Sequence, residues 1–372
     1  MANEREGARL FLAGDVMTGR GIDQVLPHPG NPTLYEPYVR DAREYVRLGE
    51  RTNGPIPRRV GDEYIWGAAL GELERAGTDL RIVNLETSIT VSEDAWPGKG
   101  IHYRMRPRNI GCLTAARIDC CSLANNHVLD WGHAGLLETL QALDTAEIPH
   151  AGAGRNLVEA AAPAALAGAG RGRVLVFAFG STSSGIPPAW AATPDHPGVN
   201  LLENLSAKTA GRIAGQIREV KRSGDVVVAS IHWGDNWGYE VPEEQQRFAR
   251  RLIKGGVDLV HGHSSHHVKP IEVYRDRLIL YGCGDFLDDY EGIRGHEAFR
   301  DDLRLMYLVE VDPQRGNLVA VRLVPLQSRR FRLHRASPAD ARWLCALLNR
   351  LGASFGTGVE LESDHSMRLR WR

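Results

Sequence analysis

The sequence contains few cysteines, and it has no long apolar run. The five cysteines are odd in number, and their spacing matches no zinc motif. Both features favour reduced, buried thiols over a disulfide framework. The apolar run at 10–13 near the N-terminus is too short for the core of a signal peptide or for a membrane span. We therefore expect a cytoplasmic protein without a membrane anchor.

An excess of basic charge is also missing. Lysine and arginine together number 45 and the acidic residues 46, so the net charge is −1 when histidine is neutral. Such a chain creates no basic field that would attract nucleic acid, and we expect no nucleic-acid partner. With 372 residues, of which 43% are hydrophobic, the chain can bury a core without disulfide bonds.

Alternating strand and helix patterns indicate a layered α/β fold. Short apolar runs bounded by Gly, Asp or Asn predict strands at 9–13, 80–83, 120–123, 173–178, 225–230, 257–260 and 278–281. Helical patterns cover 66–76, 135–146, 206–222 and 242–254. Beyond Pro325 the strand and helix pattern gives way to arginine-rich sequence with one predicted helix at 339–351. We therefore divide the chain into a main domain, 1–330, and a small C-terminal helical appendage, 331–372, packed on it.

Histidines are concentrated in one short segment that directly follows a predicted strand. His261, His263, His266 and His267 lie within seven residues. Imidazole is the commonest metal ligand in proteins, and side chains at the carboxyl ends of strands converge on the crevice where α/β proteins bind ligands. The segment therefore predicts a metal or phosphate site.

Polar residues follow the other predicted strands in the same way. A single Asp or His after a strand usually caps a turn or is satisfied within the core. A series of carboxylates, an amide and imidazoles instead supplies the mixed shell that one or two divalent ions such as Mn, Fe or Zn prefer. The candidate residues are Asp15, Glu86, Asn126, His127, His232, His263 and His266.

The order of these motifs resembles the CapA family, the capsule or poly-γ-glutamate synthesis proteins. The resemblance covers about residues 8–290 and rests on Gly14-Asp15, Asn84-Leu85-Glu86, Asn125-Asn126-His127, His232-Trp233-Gly234, Gly262-His263-x-x-His266 and the segments 103–107, 122–132 and 281–286. The family is similar in turn to calcineurin-like metallophosphoesterases. That similarity implies a four-layer α/β/β/α sandwich with a two-metal site.

The resemblance also implies a role for each candidate residue. Asp15 and His266 would bind the first metal, and Glu86 would bridge the two metals. The second metal would be completed by Asn126, His232 and His263. His127 would be the general acid that protonates the leaving oxygen.

Three departures from the superfamily pattern weaken the first metal site. Met17 stands where the superfamily has a histidine ligand, Glu86 replaces an aspartate, and the last motif has two intervening residues instead of one. We therefore expect one metal, or a second that binds weakly. Asp285 replaces the family's usual asparagine, and it either compensates for the missing ligand or simply caps a turn.

Other polar residues are weaker candidates. Arg104 and Arg106 either clamp a phosphate or carboxylate of the substrate or are surface charges on a solvated strand. Alternation along an extended segment is expected to turn His261 and His267 away from the ligands or to place them behind the ligands. We expect the acidic loop at 288–291 to be solvated.

Two functions fit this sequence. The first is an enzyme that uses its metal site to hydrolyse a phosphoester or a related bond, with His127 supplying the proton. The alternative is a non-hydrolytic accessory protein of poly-γ-glutamate or capsule polymer synthesis or export. The expected partner is accordingly an anionic small molecule or an acidic polymer.

Overall fold

The computed structural model describes residues 7–168 and 172–372. The strands are β1 (Ala8–Val16), β2 (Leu80–Leu85), β3 (Ser88–Ile89), β4 (Arg104–Met105), β5 (Cys120–Ser122), β6 (His150–Ala151), β7 (Ala153–Gly154), β8 (Ala164–Ala167), β9 (Arg173–Gly180), β10 (Gly198–Val199), β11 (Val226–His232), β12 (Leu259–His263), β13 (Ile271–Tyr274), β14 (Arg277–Leu280), β15 (Asp285–Leu287), β16 (Leu303–Val311), β17 (Leu318–Ser328), β18 (Leu333–Arg335), β19 (Thr357–Leu361) and β20 (Met367–Trp371). The helices are α1 (Arg20–Val25), α2 (Arg43–Asn53), α3 (Ala68–Ala76), α4 (Gly111–Ala115), α5 (Gly132–Thr145), α6 (Leu157–Ala161), α7 (Ala207–Val220), α8 (Glu243–Lys254) and α9 (Pro338–Gly352).

The seven predicted strands and five predicted helices are confirmed, with bounds that shift by a few residues. Local signals explain several of the helix starts. Ser206 caps α7 by accepting a hydrogen bond from the backbone N–H of Thr209, and Ser337 caps α9 in the same way. Pro242 precedes α8, whose first turn carries two glutamates that suit the positive end of the helix dipole.

Two large sheets form the centre of the molecule. The first has the strand order β19-β20-β17-β16-β1-β2-β5-β6, with β15 paired to β1 and β18 paired to β17. The second has the order β13-β14-β12-β11-β9-β8. Within these sheets β1, β2 and β5 run parallel, as do β9, β11, β12 and β14, so their carboxyl ends lie along the same edge of each sheet.

The side chains of β11 show how the layers are stacked. Val226 and Val228 belong to the same apolar cluster as Leu10 of the first sheet, so this face of β11 packs between the sheets. The alternate residues, Val227 and Ile231, pack with α7 and α8 in a separate cluster on the outer face. Helices α3 and α5 pack against the first sheet, and the fold is a four-layer α/β/β/α sandwich.

Residues from 331 onward contain more strand than the sequence predicted. Helix α9 was predicted, but β18 and β20 pair with β17 and therefore extend the first sheet, and β19 pairs with β20. The division of the chain at residue 330 stays a prediction. Among residues 7–168 and 172–372, no helix has the length and apolar character needed to cross a bilayer.

Candidate metal centre

Asp15 lies at the centre of the candidate site, near the end of β1. Its carboxylate is fully buried and accepts hydrogen bonds from Asn84 Nδ2 at 2.7 Å and from the backbone N–H of Ser264 at 3.2 Å. Potential ligand atoms of Asp15, His232 and His263 all lie within 4.8 Å of one another. The two histidines are neighbours because β11 and β12 pair with His232 opposite His263.

A second group of potential ligands shares Asp15. It contains His266 and Asp285, again with ligand atoms within 4.8 Å of one another. Asp285 reaches this position because β15 pairs in parallel with β1 and places Asp285 opposite Asp15. Of the two readings of Asp285, the register favours a place in the cluster over a simple turn cap.

Glu86 and Asn126 complete the pocket. Glu86 Oε1 lies 3.9 Å from His232 Nε2 and 3.7 Å from His127 Nε2. Asn126 Oδ1 lies 2.9 Å from His232 Nε2. The structure thus brings the six candidate ligands and His127 into one pocket between the carboxyl ends of the two sheets.

Asn84, known from the sequence only as part of a motif, connects the two carboxylates. Its amide donates to Asp15 and to Glu86 Oε2, and its carbonyl accepts a hydrogen bond from Asn125 Nδ2 at 3.0 Å. Asn84 precedes Glu86 by two residues at the end of β2, and side chains two apart on a strand share a face. That spacing was the available signal.

Of the two placements expected for His261, the structure shows the one behind the ligands. Because residues two apart share a face, His261 and His263 both point into the space between the sheets. Ser230 Oγ links their rings, at 3.1 Å from His261 Nδ1 and 2.9 Å from His263 Nε2. His261 Nε2 lies 2.8 Å from the carbonyl of Ala13, so His261 joins the two sheets behind the cluster. His267 does point away, towards Phe299.

The electrostatics of the pocket favour a bound cation. Burial, together with the charge of Asp285, raises the pKa of Asp15 to about 7. Burial and the charge of Asp15 raise the pKa of Glu86 well above its usual range. Burial lowers the pKa of His232 and His263, which leaves neutral rings with available lone pairs.

The donor set therefore fits one or two divalent metals. Carboxylate oxygens, an amide oxygen and neutral imidazoles are the ligands that borderline cations prefer. In addition, Asp285 Oδ2 is buried and has no hydrogen-bond partner among residues 7–168 and 172–372. A buried carboxylate oxygen without a partner is costly unless something else satisfies it. A metal ion at this position would do so.

The two groups differ in how readily they can take a metal. His266 Nδ1 lies 2.9 Å from Asp285 Oδ1, and despite burial the charge of Asp285 raises the pKa of His266. An imidazole must lose its second proton to become a ligand, so a raised pKa at His266 makes this group the harder one to load with metal. Met17, which stands in place of a histidine ligand, directs its sulfur towards the hydroxyl of Tyr290 at 3.7 Å.

His127 is held in a defined orientation beside the cluster. Its Nδ1 lies 2.7 Å from Asp130 Oδ2, and that oxygen also accepts a hydrogen bond from the backbone N–H of Tyr103. Lys99 Nζ lies 2.7 Å from Asp130 Oδ1, and the ring of Tyr103 meets that of His127 edge-on at 4.4 Å. Burial lowers the pKa of His127 to about 4, so the ring is neutral at pH 7. Its Nε2 faces Glu86.

The structure does not bring Arg104 and Arg106 to the cluster. The guanidinium of Arg104 donates to the carbonyls of Ser92 at 2.6 Å and Asn31 at 3.0 Å, and it stacks over the ring of Trp131 at 3.8 Å. Arg106 Nη1 makes a long contact of 3.4 Å with the carbonyl of Pro29. The substrate clamp therefore stays a prediction, and the backbone partners of Arg104 weigh against it.

Replacing Arg104 by alanine should lower stability without changing substrate binding. Losing charged hydrogen bonds to two carbonyls should reduce the free energy of unfolding by about 2 kcal/mol. Urea denaturation measures this loss, and calorimetry with inorganic phosphate measures anion binding. Arg106→Ala is the control and should change stability little. Weaker phosphate binding by Arg104→Ala with unchanged stability would favour the substrate clamp.

The acidic loop is buried and paired, contrary to the expectation that it is solvated. Asp288 forms an ion pair with the buried guanidinium of Arg304. Asp289 accepts a hydrogen bond from Arg20 Nε at 3.2 Å. Glu291 accepts one from the backbone N–H of Arg330 at 2.7 Å. The loop is therefore a fixed wall of the site.

Comparisons with known proteins identify a consistent family. The sequence model described as bacterial capsule synthesis protein PGA_cap matches residues 9–290. A probable polyglutamine synthesis accessory protein of Mycobacterium tuberculosis is 47% identical over 370 residues, which cover 99% of this chain and 97% of that protein. The PGA biosynthesis protein CapA of Bacillus subtilis is 25% identical over 332 residues, covering 89% of this chain and 73% of that protein.

Among solved structures, the chain is similar to a 5′-nucleotidase precursor from Thermus thermophilus. The TM-score is 0.48 at 14% sequence identity, and the alignment covers 86% of this chain and 54% of that chain.

Proposed function

Because this chain belongs to the bacterial capsule synthesis protein family PGA_cap, we propose that it is a metal-dependent hydrolase that serves acidic polymer synthesis. Its substrate is an anionic phosphoester or a compound with a related bond. The metal is one or two ions of Mn, Fe or Zn. The convergence of Asp15, His232, His263, His266 and Asp285 in one buried pocket beside an oriented histidine carries this proposal.

Each of the two groups of residues would bind one metal ion. His232 and His263, with Asn126, would hold one ion, and His266 and Asp285 would hold the other. Asp15 belongs to both groups, and Glu86 lies beside them. When bound, a divalent ion polarises the bond to be broken and acidifies the attacking water.

His127 supplies the proton that hydrolysis requires at the leaving oxygen. In the free protein its ring is neutral, with Nδ1 directed to Asp130 and Nε2 open to the pocket. An anionic substrate next to Nε2 favours the protonated ring, which then donates this proton to the leaving oxygen. Asp130 keeps the ring oriented and stabilises its positive charge, and Lys99 holds Asp130 in place.

Metal analysis combined with an activity screen tests this function. The purified protein is stripped, reloaded with Mn²⁺, Fe²⁺ or Zn²⁺, and assayed on phosphomonoester and phosphodiester substrates. We expect at least one bound metal per chain and a hydrolysis rate that disappears with chelator. A protein that binds metal but hydrolyses none of these compounds would contradict the enzymatic role.

The names of the relatives favour a second candidate, a non-hydrolytic accessory role. In that case the same pocket would bind a carboxylate of poly-γ-glutamate or a similar acidic polymer, with the metal as the anchor. Calorimetry with short γ-glutamyl peptides separates the two functions. Tight, metal-dependent peptide binding without phosphoester hydrolysis would favour the accessory role.

We expect the two metals to bind with unequal affinity. The His266–Asp285 group must release a proton, whereas His232 and His263 are already neutral. Calorimetric titration with Mn²⁺ should resolve one tight and one weaker site. Asp285→Asn should weaken the second site by about 10-fold or more and leave the first unchanged.

Met17→His is the companion variant for this titration. An imidazole in place of a soft, neutral thioether should tighten the weaker site. If it does not, Met17 lies outside the metal shell. Two equally tight sites in the unmodified protein would contradict the expected inequality.

A further inference from the structure

The hydroxyl of Tyr290 borders the cluster on the His266 side. Tyr290 follows β15, the strand that carries Asp285, and its ring meets that of His266 edge-on with centroids 5.2 Å apart. The side chain is half-buried, so part of it is accessible to solvent. Tyr290 is neither one of the proposed metal ligands nor the proposed proton donor.

The hydrogen bonds around Tyr290 leave its own proton available. Its oxygen accepts a hydrogen bond from the hydroxyl of Tyr103 at 2.8 Å. Its O–H points towards Met17 Sδ at 3.7 Å, and a thioether is a weak acceptor. No stronger acceptor for this proton is found in the part of the chain that the structure describes. A phenol retains its proton at neutral pH, since its ordinary pKa is about 10.

Tyr290 is also held firmly in place. Its backbone N–H donates to Asp288 Oδ1 at 3.1 Å, and Asp288 is ion-paired with the buried Arg304. Asp289, the preceding residue, is fixed by Arg20. A donor that is already oriented loses little conformational freedom when it binds a ligand, which makes its hydrogen bond more effective.

Tyr103 separates Tyr290 from His127. Its ring packs against His127, and its hydroxyl donates to Tyr290. The two donors therefore lie on different sides of Tyr103. His127 is placed to serve the leaving oxygen, so Tyr290 is placed to serve a different oxygen of the same substrate.

We propose that Tyr290 is a substrate-binding residue whose hydroxyl donates a hydrogen bond to a phosphoryl oxygen in the metal centre. This role rests on the proposed function, because it requires a metal-bound site that accepts a phosphoryl group. Tyr290 would then determine specificity from the loop after β15. Substrates with an anionic oxygen next to its hydroxyl would bind more tightly than neutral substrates.

Phosphate binding to the manganese-loaded protein tests this role without relying on turnover. Three forms are compared by calorimetry with inorganic phosphate: wild type, Tyr290→Phe and Tyr307→Phe. Tyr307 is the matched control, because it is a buried phenol whose hydroxyl donates to the carbonyl of Cys283 at 3.2 Å. Metal content is measured first. Tyr290→Phe should retain manganese because the phenyl ring keeps the packing on His266, and Tyr307→Phe should retain it because Tyr307 is not among the proposed ligands.

We expect Tyr290→Phe to raise the Kd for phosphate by about 10-fold or more, as for a lost hydrogen bond to a charged group. Tyr307→Phe should stay within about twofold of wild type, the range of substitutions away from a binding site. Equal affinity in wild type and Tyr290→Phe would overturn the role of Tyr290 alone, as would an equal loss in both variants. A wild-type protein that binds no manganese or no phosphate would overturn the proposed function and this role with it.

Discussion

Replacing Asp15 by asparagine should abolish metal binding and hydrolysis together. Asp15 is the one residue that both ligand groups share, and asparagine keeps its volume while removing the charge. Removing a residue that only supports the ligands typically lowers metal affinity by about 10- to 100-fold. Asp15 is itself a shared ligand, so we expect its loss to lower metal affinity by ~10²-fold or more. Metal analysis and calorimetry with Mn²⁺ measure this change.

Thermal unfolding provides a second readout for Asp15→Asn. Metal that binds only the folded wild-type protein should stabilise it by about 2.7 kcal/mol at a free concentration of one hundred times Kd. The variant should gain almost nothing from the same concentration. A variant that still binds manganese tightly would place Asp15 outside the metal shell.

Without metal, wild type should lose more stability than Asp15→Asn as the pH rises. Burial raises the pKa of Asp15 from 3.8 to about 7, so the folded chain holds this proton more tightly than the unfolded chain. The resulting stabilisation is lost as the pH rises from about 4 through about 7. Asp15→Asn lacks this proton, so in chelator its urea stability should fall less than that of wild type between about pH 5 and about pH 8.

Replacing His127 by alanine should remove activity but not metal. The ring lies next to the cluster, at 3.7 Å from Glu86, and its other nitrogen is occupied by Asp130. Loss of a general acid typically lowers turnover by ~10²-fold or more. Steady-state kinetics on the best phosphoester substrate should show the loss in kcat, and metal analysis should show unchanged occupancy.

Asp130→Asn separates orientation from proton transfer. It keeps His127 but replaces the carboxylate that holds Nδ1, so kcat should fall by about 10-fold or more with little change in KM. A substrate with a leaving group that needs no protonation should partly rescue both variants. Loss of metal in His127→Ala would instead identify His127 as a ligand.

The sequence predicted the elements and most of the pocket because both depend on local pattern. Apolar runs and helix caps specify where strands and helices lie, and polar residues at the ends of parallel strands converge in any such fold. Asp15, Glu86 and His263 follow from this rule. The place of His261 behind the ligands was one of two expectations, and the rule that residues two apart on a strand share a face decides between them.

Other features depended on contacts between distant segments. The place of Asp285 results from the pairing of β15 with β1, across about two hundred and seventy residues of chain. The carbonyls of Ser92 and Asn31 around the guanidinium of Arg104 are a second example. A sequence pattern does not reveal which acceptors will surround an arginine.

The sequence by itself determined the layered fold, the family and the chemical type of the site, since these follow from periodicity and from motif order along the chain. Only the tertiary structure decided which side chains complete the site. It buried the loop that carries Asp288 and Tyr290 and matched its charges to Arg304 and Arg20. The physical reason is that partners for a buried charge come from wherever the chain packs, and that packing is not local in sequence.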